Sequence, residues 1–127
     1  MQNRDLNTLH QALSELADMS LPMATAMKVR RIVRALVPHL QDVEAERSKL
    51  VERHARKDAE GHVVTENGQW AFDSVEDREA FVAQANELMD LEWEPPERIA
   101  TLELEGREVR ARVLIGLGEV LEEEGET

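Results

Sequence analysis

Leucines recur every three or four residues near the start of the chain, which is the spacing of one face of an amphipathic helix. The helix predicted over residues 6–19 carries on that face Leu6, Leu9, Leu13 and Leu16. Ser20-Leu21-Pro22 follows it. Proline suits the first turn of a helix, where its missing N–H has no intrahelical partner to bind. The pattern therefore predicts a first helix that ends near Met19 and a second helix that begins at Pro22.

The second predicted helix, residues 22–56, has a seam whose positions are alternately three and four residues apart. Seven of its nine positions are apolar, and the other two are Arg47 and His54. The nine positions are Ala26, Val29, Val33, Leu36, Leu40, Val43, Arg47, Leu50 and His54. A seam this narrow is typical of coiled coils. It is longer than the first or third helix can cover, so we expect a homodimer. Pro38 interrupts the hydrogen-bond ladder, which predicts a kink or short break near residues 36 and 37.

Asn67-Gly68 indicates a β-hairpin over residues 62–72. This dipeptide is favoured in type I′ turns because both central residues take a positive φ. The turn places Thr65 opposite Trp70 and puts Trp70 and Phe72 on the same face of the ribbon. Because a two-stranded ribbon is only marginally stable alone, we expect Trp70 and Phe72 to be core residues that cover the second and third helices.

The C-terminal part of the chain is predicted to contain a helix, a short strand and a last helix. Ser74 is the expected N-cap of the third helix, which ends before Pro95-Pro96. Residues 98–104 alternate in polarity and predict the strand, and residues 109–121 predict the last helix. Residues 119–127 carry five acidic side chains and no basic one, so we expect an acidic, frayed C-terminal end.

These elements define the predicted fold class as mainly α (α+β). The order is helix, long helix kinked at Pro38, β-hairpin, helix, short strand and helix. A length of 127 residues suits one domain of ordinary size. We therefore expect a single domain over residues 1–127.

Charge and cysteine content exclude several functional classes. The chain has 27 acidic and 15 basic side chains, for a formal net charge of −12, whereas nonspecific binding to nucleic acid depends on an excess of cationic side chains. It contains no cysteine, which excludes disulfides and thiolate metal sites. No apolar run reaches the length of a membrane span, and residues 1–5 do not resemble the start of a signal peptide. A cytoplasmic location is expected by elimination.

Several segments follow one another in the order of a known family. They are Leu16, Leu21-Pro22, Ala26-Met27-Lys28-Val29, Leu36, Leu40, Glu44, Arg47 and Leu50, followed by Lys57-Asp58-Ala59-Glu60-Gly61 and Asn67-Gly68-Gln69-Trp70-Ala71-Phe72. Over residues 9–121 the chain resembles an uncharacterised family of small phage and prophage proteins, helical with a central Asp-x-x-Gly and Asn-Gly hairpin. The basic segment 28–31 and the acidic segment 119–126 depart from that pattern. The resemblance implies phage origin, a location in the host cytoplasm or the virion, and no known active site.

The side chains that usually carry catalysis or bind metals do not form a recognised pattern in this chain. Two histidines that bind one metal ion from the same face of a helix lie three to five residues apart. No two histidines of this chain have that spacing, since they are His10, His39, His54 and His62. Gly116 and Gly118 lie within a helical pattern and not after a strand, where a dinucleotide-binding loop occurs. The serines lack a nucleophile-elbow motif. We therefore predict no catalytic residue, no metal site, no cofactor and no enzymatic activity.

Positive charge is concentrated in one segment of this acidic chain. Residues 19–41 contain four basic side chains and no acidic one. The candidate partner-binding residues are Met23, Met27, Lys28, Arg30, Arg31 and Arg34. Methionine and arginine are enriched at protein interfaces. Three interpretations remain open: packing on the last helix and pairing with its glutamates, binding of a partner protein, and binding of nucleic acid, which the global charge disfavours.

The sequence as a whole favours a protein-binding role. The resemblance implies a phage or prophage protein with one of two roles, and we expect the first, in which the chain binds a phage structural protein during virion or tail assembly. The alternative is a host-directed inhibitor that binds a host protein and whose acidic surface imitates nucleic acid. If Trp70 and Phe72 are exposed instead of buried, their face becomes the alternative binding surface.

Overall fold

A computed structural model describes residues 1–104 and 106–122 and has four α-helices within that part of the chain. They are α1 (Leu6–Ala17), α2 (Met23–His54), α3 (Val75–Asp90) and α4 (Ala111–Leu117). The strands are β1 (Thr65–Glu66), β2 (Gln69–Trp70), β3 (Ile99–Ala100) and β4 (Leu121–Glu122), and short 3-10 turns cover Asn3–Asp5, Thr101–Leu104 and Gly118–Val120. The prediction of a mainly α fold with a small β-hairpin is confirmed.

Residue contacts divide the chain into two compact units. Unit 1 comprises Met1–Leu40 and the described part of Glu92–Thr127, and unit 2 comprises Gln41–Leu91. Helix α2 contributes residues to both units. Each unit has buried apolar side chains of its own, and a single domain over residues 1–127 stays a prediction.

The interior of unit 1 is built on the apolar face of α1. As the leucine spacing predicts, four side chains of α1 are fully buried, namely Leu6, Leu9, Leu13 and Leu16. Helix α4 packs on this helix through Gly116. A Cβ atom at Gly116 would lie 3.0 Å from the Cβ of Ala12 and 3.2 Å from the carbonyl oxygen of Thr8. Any larger residue at this position would therefore be in tight contact with α1 and would push the two helices apart by a few tenths of an ångström.

The N-terminal half of α2 buries a face that shares Val29 and Leu36 with the predicted seam and is rotated toward Thr25 and Ile32. Its buried residues are Thr25, Val29, Ile32 and Leu36, whereas Ala26, the first seam position, is exposed. The seam is confirmed at Val29 and Leu36 and wrong at Ala26, because the face that meets the core of unit 1 also contains Ile32. The helix continues through Pro38 without a break, and a kink at this residue stays a prediction. No described helix has both the length and the hydrophobicity that crossing a membrane requires.

The last helix is shorter than predicted and is followed by a 3-10 turn and a short strand. It ends at Leu117 because Gly118 takes a φ of 51°, outside the helical region. After the 3-10 turn Gly118–Val120, strand β4 pairs with β3 in parallel, with Leu121 opposite Ile99. The strand expected over 98–104 is likewise limited to β3. Residues 119–122 lie in this turn and strand, residues 123–127 lie outside the described part of the chain, and a frayed acidic end stays a prediction.

The amino group of Met1 joins three separate segments of unit 1. It donates to Glu119 Oε2 at 2.9 Å, to the Trp93 carbonyl at 3.0 Å and to Glu92 Oε2 at 3.1 Å. The hydrogen bond to Glu119 raises the pKa of the Met1 amino group and lowers the pKa of the Glu119 carboxyl. Both changes favour the ion pair.

Unit 2 is organised around Arg56 and the hairpin. The register is the predicted one, with Thr65 opposite Trp70 in the antiparallel pair β1–β2. The Arg56 backbone N–H donates to Ala71, and the guanidinium donates to Glu66, to Asp73 and to the carbonyl of Phe72. This arginine fixes the strand ends to the residues that follow α2.

Helix α3 begins as predicted. The Ser74 hydroxyl accepts a hydrogen bond from the Asp77 backbone N–H at 3.1 Å, as an N-cap serine does. The helix ends at Asp90, before Pro95-Pro96. No residue of α3 is buried, and Val75 and Val82 are exposed.

Replacement of Gly68 by valine is expected to lower the free energy of unfolding by about 1–2 kcal/mol, the cost of a left-handed conformation for an L-residue. Gly68 has a φ of 77° and Asn67 a φ of 53°, as a type I′ turn requires. Urea denaturation of Gly68→Val measures the change. The control is Gln69→Val, which adds the same side chain to an extended strand residue. An equal loss in both variants would contradict the role of the turn.

Candidate protein-binding surface

Two methionines and two arginines line the solvent-facing side of α2 in unit 1. Met23 is 81 % exposed and Met27 is 49 % exposed, and Arg30 and Arg34 are also exposed. Neither arginine has an ion pair or a side-chain hydrogen bond among the described residues. We call these four residues the Met–Arg stripe. The opposite face of the helix is the one buried in unit 1, so the stripe is not needed to close the core.

Lys28 does not belong to this exposed stripe, because its ammonium group forms an ion pair with a carboxylate of unit 1. Its Nζ lies 3.1 Å from Glu103 Oε2. The buried Thr25 hydroxyl donates to Glu103 Oε1 at 3.1 Å, and the backbone N–H of Ala100 donates to Oε2 at 2.8 Å. Burial acts to raise the pKa of Glu103, but the hydrogen bonds from Ala100, Lys28 and Thr25 outweigh it and lower that pKa. Glu103 is therefore held as a carboxylate.

Arg31 is also paired within unit 1. Its Nη2 donates to Glu97 Oε1 at 2.7 Å, and its Nε donates to the second carboxylate oxygen. This two-point contact lowers the pKa of Glu97 and raises the pKa of Arg31. A planar guanidinium is well suited to such a contact with a carboxylate.

The six predicted binding residues thus separate into two groups. Lys28 and Arg31 serve the fold, but their partners Glu97 and Glu103 precede α4 and do not belong to it. Pairing of the whole segment with glutamates of the last helix is therefore wrong. The other four residues form the Met–Arg stripe, which remains open to solvent.

The alternative binding surface, formed by Trp70 and Phe72, is more exposed than the predicted core position of these residues implies. Phe72 is half-buried, and its ring centroid lies 5.4 Å from that of Phe81. Trp70 is 42 % exposed, so its prediction as a core residue is wrong. A short ribbon turned by Asn67-Gly68 covers only Phe72 against α3 and leaves Trp70 at the surface.

Trp70 borders a groove of about 390 Å³ in unit 2, which we call the Trp70 groove. Its lining residues are Glu44, Arg47, Ser48, Val51, Glu52, Val63 and Trp70. Val51 is buried and Val63 is half-buried, so the floor is apolar. Glu44 and Glu52 are exposed and make no ion pair with any described residue. The sequence pattern did not reveal this groove, because it joins a helix to a hairpin residue distant in sequence.

Two of the histidines contact side chains of the same unit, and a second cavity lies in unit 1. His39 Nε2 lies 2.7 Å from Asn3 Oδ1, and His54 Nε2 lies 3.2 Å from Gln84 Oε1. A cavity of about 400 Å³ lies beside α1 and α4 and is bordered by Ser14. The Ser14 hydroxyl donates to the His10 carbonyl. Within the described residues, no cluster of histidines and carboxylates is arranged to hold a metal ion.

Comparison with known proteins gives no match: no family model, no curated protein and no solved structure is similar to this chain. The resemblance to small phage and prophage proteins therefore stays a prediction from the sequence. The candidate surfaces are defined by the chemistry of this chain alone.

Proposed function

We propose that this chain is a non-enzymatic protein, encoded by a phage or prophage, that binds another protein and takes part in virion or tail assembly. The observation that supports binding is the Met–Arg stripe, in which two arginines that make no ion pair with a described residue lie beside two exposed methionines. The phage origin and the role in assembly come from the sequence resemblance.

The chemistry of the stripe indicates what it would bind. Methionine side chains adapt to irregular apolar surfaces, and arginine pairs with carboxylates through a planar fork of donors. A fitting partner presents acidic side chains around a small apolar surface. Desolvation of the methionines would supply affinity, and the arginines would supply orientation and a faster association rate.

A host-directed inhibitor is the second candidate, and the charge of unit 2 favours it. Residues 41–91 contain 13 acidic and 6 basic side chains, which gives a formal net charge of −7. A host protein that binds nucleic acid would be attracted by such a field. The identity of the captured protein separates the two roles, since assembly requires a virion protein and inhibition requires a host nuclease or polymerase.

The double variant Arg30→Glu/Arg34→Glu is expected to lose the partner and keep its fold. Its melting temperature should hardly change, because these arginines have no ion pair with a described residue to lose. The measurement is capture from infected and uninfected host lysates, run beside a thermal melt and followed by mass spectrometry.

Two further variants make this result specific. Lys57→Glu/Arg110→Glu produces the same charge change at exposed bases outside the stripe and should retain the partner. Lys28→Glu/Arg31→Glu should instead lower the melting temperature, because it breaks both internal ion pairs. Full capture by a stable Arg30→Glu/Arg34→Glu protein would contradict the role of the stripe.

A further inference from the structure

The two exposed surfaces of this chain have complementary chemistry. The Met–Arg stripe offers apolar side chains and two cations, and the Trp70 groove offers an apolar floor and two carboxylates. We propose that the Trp70 groove binds the Met–Arg stripe of a second copy of this chain. The inference rests on the proposed protein-binding function, because it names another copy of the chain as a binding partner.

The groove can receive both kinds of side chain that the stripe presents. Val51 and Val63 form an apolar floor for a methionine, and the exposed ring of Trp70 is a favourable contact for sulfur. A tryptophan face also attracts a guanidinium by a cation–π interaction. The groove is therefore suited to a surface that combines methionine with arginine.

The carboxylates of the groove lie where they can pair with the arginines of the stripe. Glu44 and Glu52 are eight residues apart on α2, which corresponds to about 12 Å along the helix axis. Arg30 and Arg34 are four residues apart, about 6 Å, and their long side chains can spread toward both carboxylates. Arg47 lowers the negative charge of the groove wall, but unit 2 as a whole carries the net charge of −7.

A second copy is the occupant that these charges favour. Within residues 19–41, Lys28 and Arg31 are paired inside unit 1, whereas Arg30 and Arg34 make no ion pair with a described residue. In a chain of net charge −12, these two arginines are therefore attracted to the acidic groove of another copy. Every copy carries both surfaces. Two copies can therefore form the contact twice in a closed dimer, or copies can add head to tail.

Sedimentation velocity over a range of concentrations tests the proposal. At high micromolar concentration, the unaltered chain is expected to have an apparent mass above the 14.4 kDa of the monomer. This apparent mass should fall as added salt screens the charges. Arg30→Glu/Arg34→Glu and Glu44→Arg/Glu52→Arg should each sediment as monomers, with a dissociation constant raised at least about tenfold, because attraction becomes repulsion.

An equimolar mixture of these two variants is the decisive sample. Each reversed surface meets an opposite charge on the other variant, so association should return in the mixture although neither variant associates alone. The matched control is Glu79→Arg/Glu87→Arg, which reverses two exposed carboxylates with the same eight-residue spacing on α3 and should associate like the unaltered chain. Trp70→Ala should weaken association without any change in charge.

Two outcomes would overturn the proposal. One is a monomer at every concentration of the unaltered chain, and the other is a mixture of the two variants that stays monomeric. Neither outcome affects the proposed function, because capture of a phage or host protein through the stripe is measured separately in lysate. Conversely, if the chain self-associates but captures no phage or host protein from lysate, this inference stands and the proposed role in assembly is contradicted.

Discussion

Replacement of Ile32 by alanine is expected to lower the free energy of unfolding by about 2–5 kcal/mol, the range for removing a large aliphatic side chain from a packed core. Ile32 is fully buried in unit 1, where it belongs to the same cluster as Leu36 and Val29. The substitution removes apolar contacts and leaves a cavity that neighbouring side chains fill only in part. Urea denaturation followed by far-UV circular dichroism measures the loss.

The matched control is Ile115→Ala. Ile115 is 79 % exposed, so this substitution removes the same atoms from the surface and not from the core. Its effect should stay within about 0.5 kcal/mol. This comparison also tests the helix phase, since the coiled-coil seam of the sequence omitted Ile32. Similar losses at both isoleucines would show that α2 does not bury the face containing Thr25, Val29, Ile32 and Leu36.

Replacement of Glu103 by alanine is expected to lower the free energy of unfolding by about 2–3 kcal/mol. The variant removes the hydrogen-bond acceptor of the buried Thr25 hydroxyl and of the Ala100 N–H, and it leaves Lys28 without its partner. Loss of an acceptor for a buried donor costs about 1–3 kcal/mol. Chemical denaturation measures the change.

Glu97→Ala is the control for this carboxylate. The Glu97–Arg31 pair is more exposed, and exposed pairs contribute at most about 1 kcal/mol. The hydrogen bonds of Glu103, and not surface charge pairs in general, are expected to hold α2 to residues 100–103. An equal loss of unfolding free energy in Glu97→Ala and Glu103→Ala would contradict this expectation.

The stabilising effect of Glu103 should depend on pH. Its folded pKa is lowered from the ordinary value of 4.5, so the unfolded chain takes up the proton first as the pH falls. The contribution of its charge is complete above 4.5 and is lost as the pH falls through the folded value. The difference in stability between the unaltered chain and Glu103→Gln should therefore narrow in acid solution. A constant difference would contradict this charge effect.

Local signals in the sequence were enough to predict most of the elements. The spacing of the leucines at positions 6, 9, 13 and 16 predicted the buried face of α1, because an amphipathic helix has a fixed period. Asn67-Gly68 gave both the turn and the strand register, since few other residue pairs accept two positive φ values. Ser74 gave the start of α3 through a hydrogen bond to a residue only three positions away.

The candidate surface could be predicted only in part. Composition marked the basic segment, because charge can be counted in a sequence. It did not separate Arg30 and Arg34 from Lys28 and Arg31, since the partner of Lys28 is 75 residues away and the partner of Arg31 is 66 residues away. A charge pattern does not record which distant carboxylate will meet a given cation.

The sequence by itself determined the first three helices and the hairpin, and it placed a basic segment on the second helix. Only the tertiary structure decided which face of α2 is buried, because that face is chosen by the core of unit 1 and the seam omitted Ile32. It also decided that Trp70 lies at the surface and that Leu121 pairs with Ile99. Those outcomes depend on contacts between residues far apart in the chain, which no local periodicity encodes.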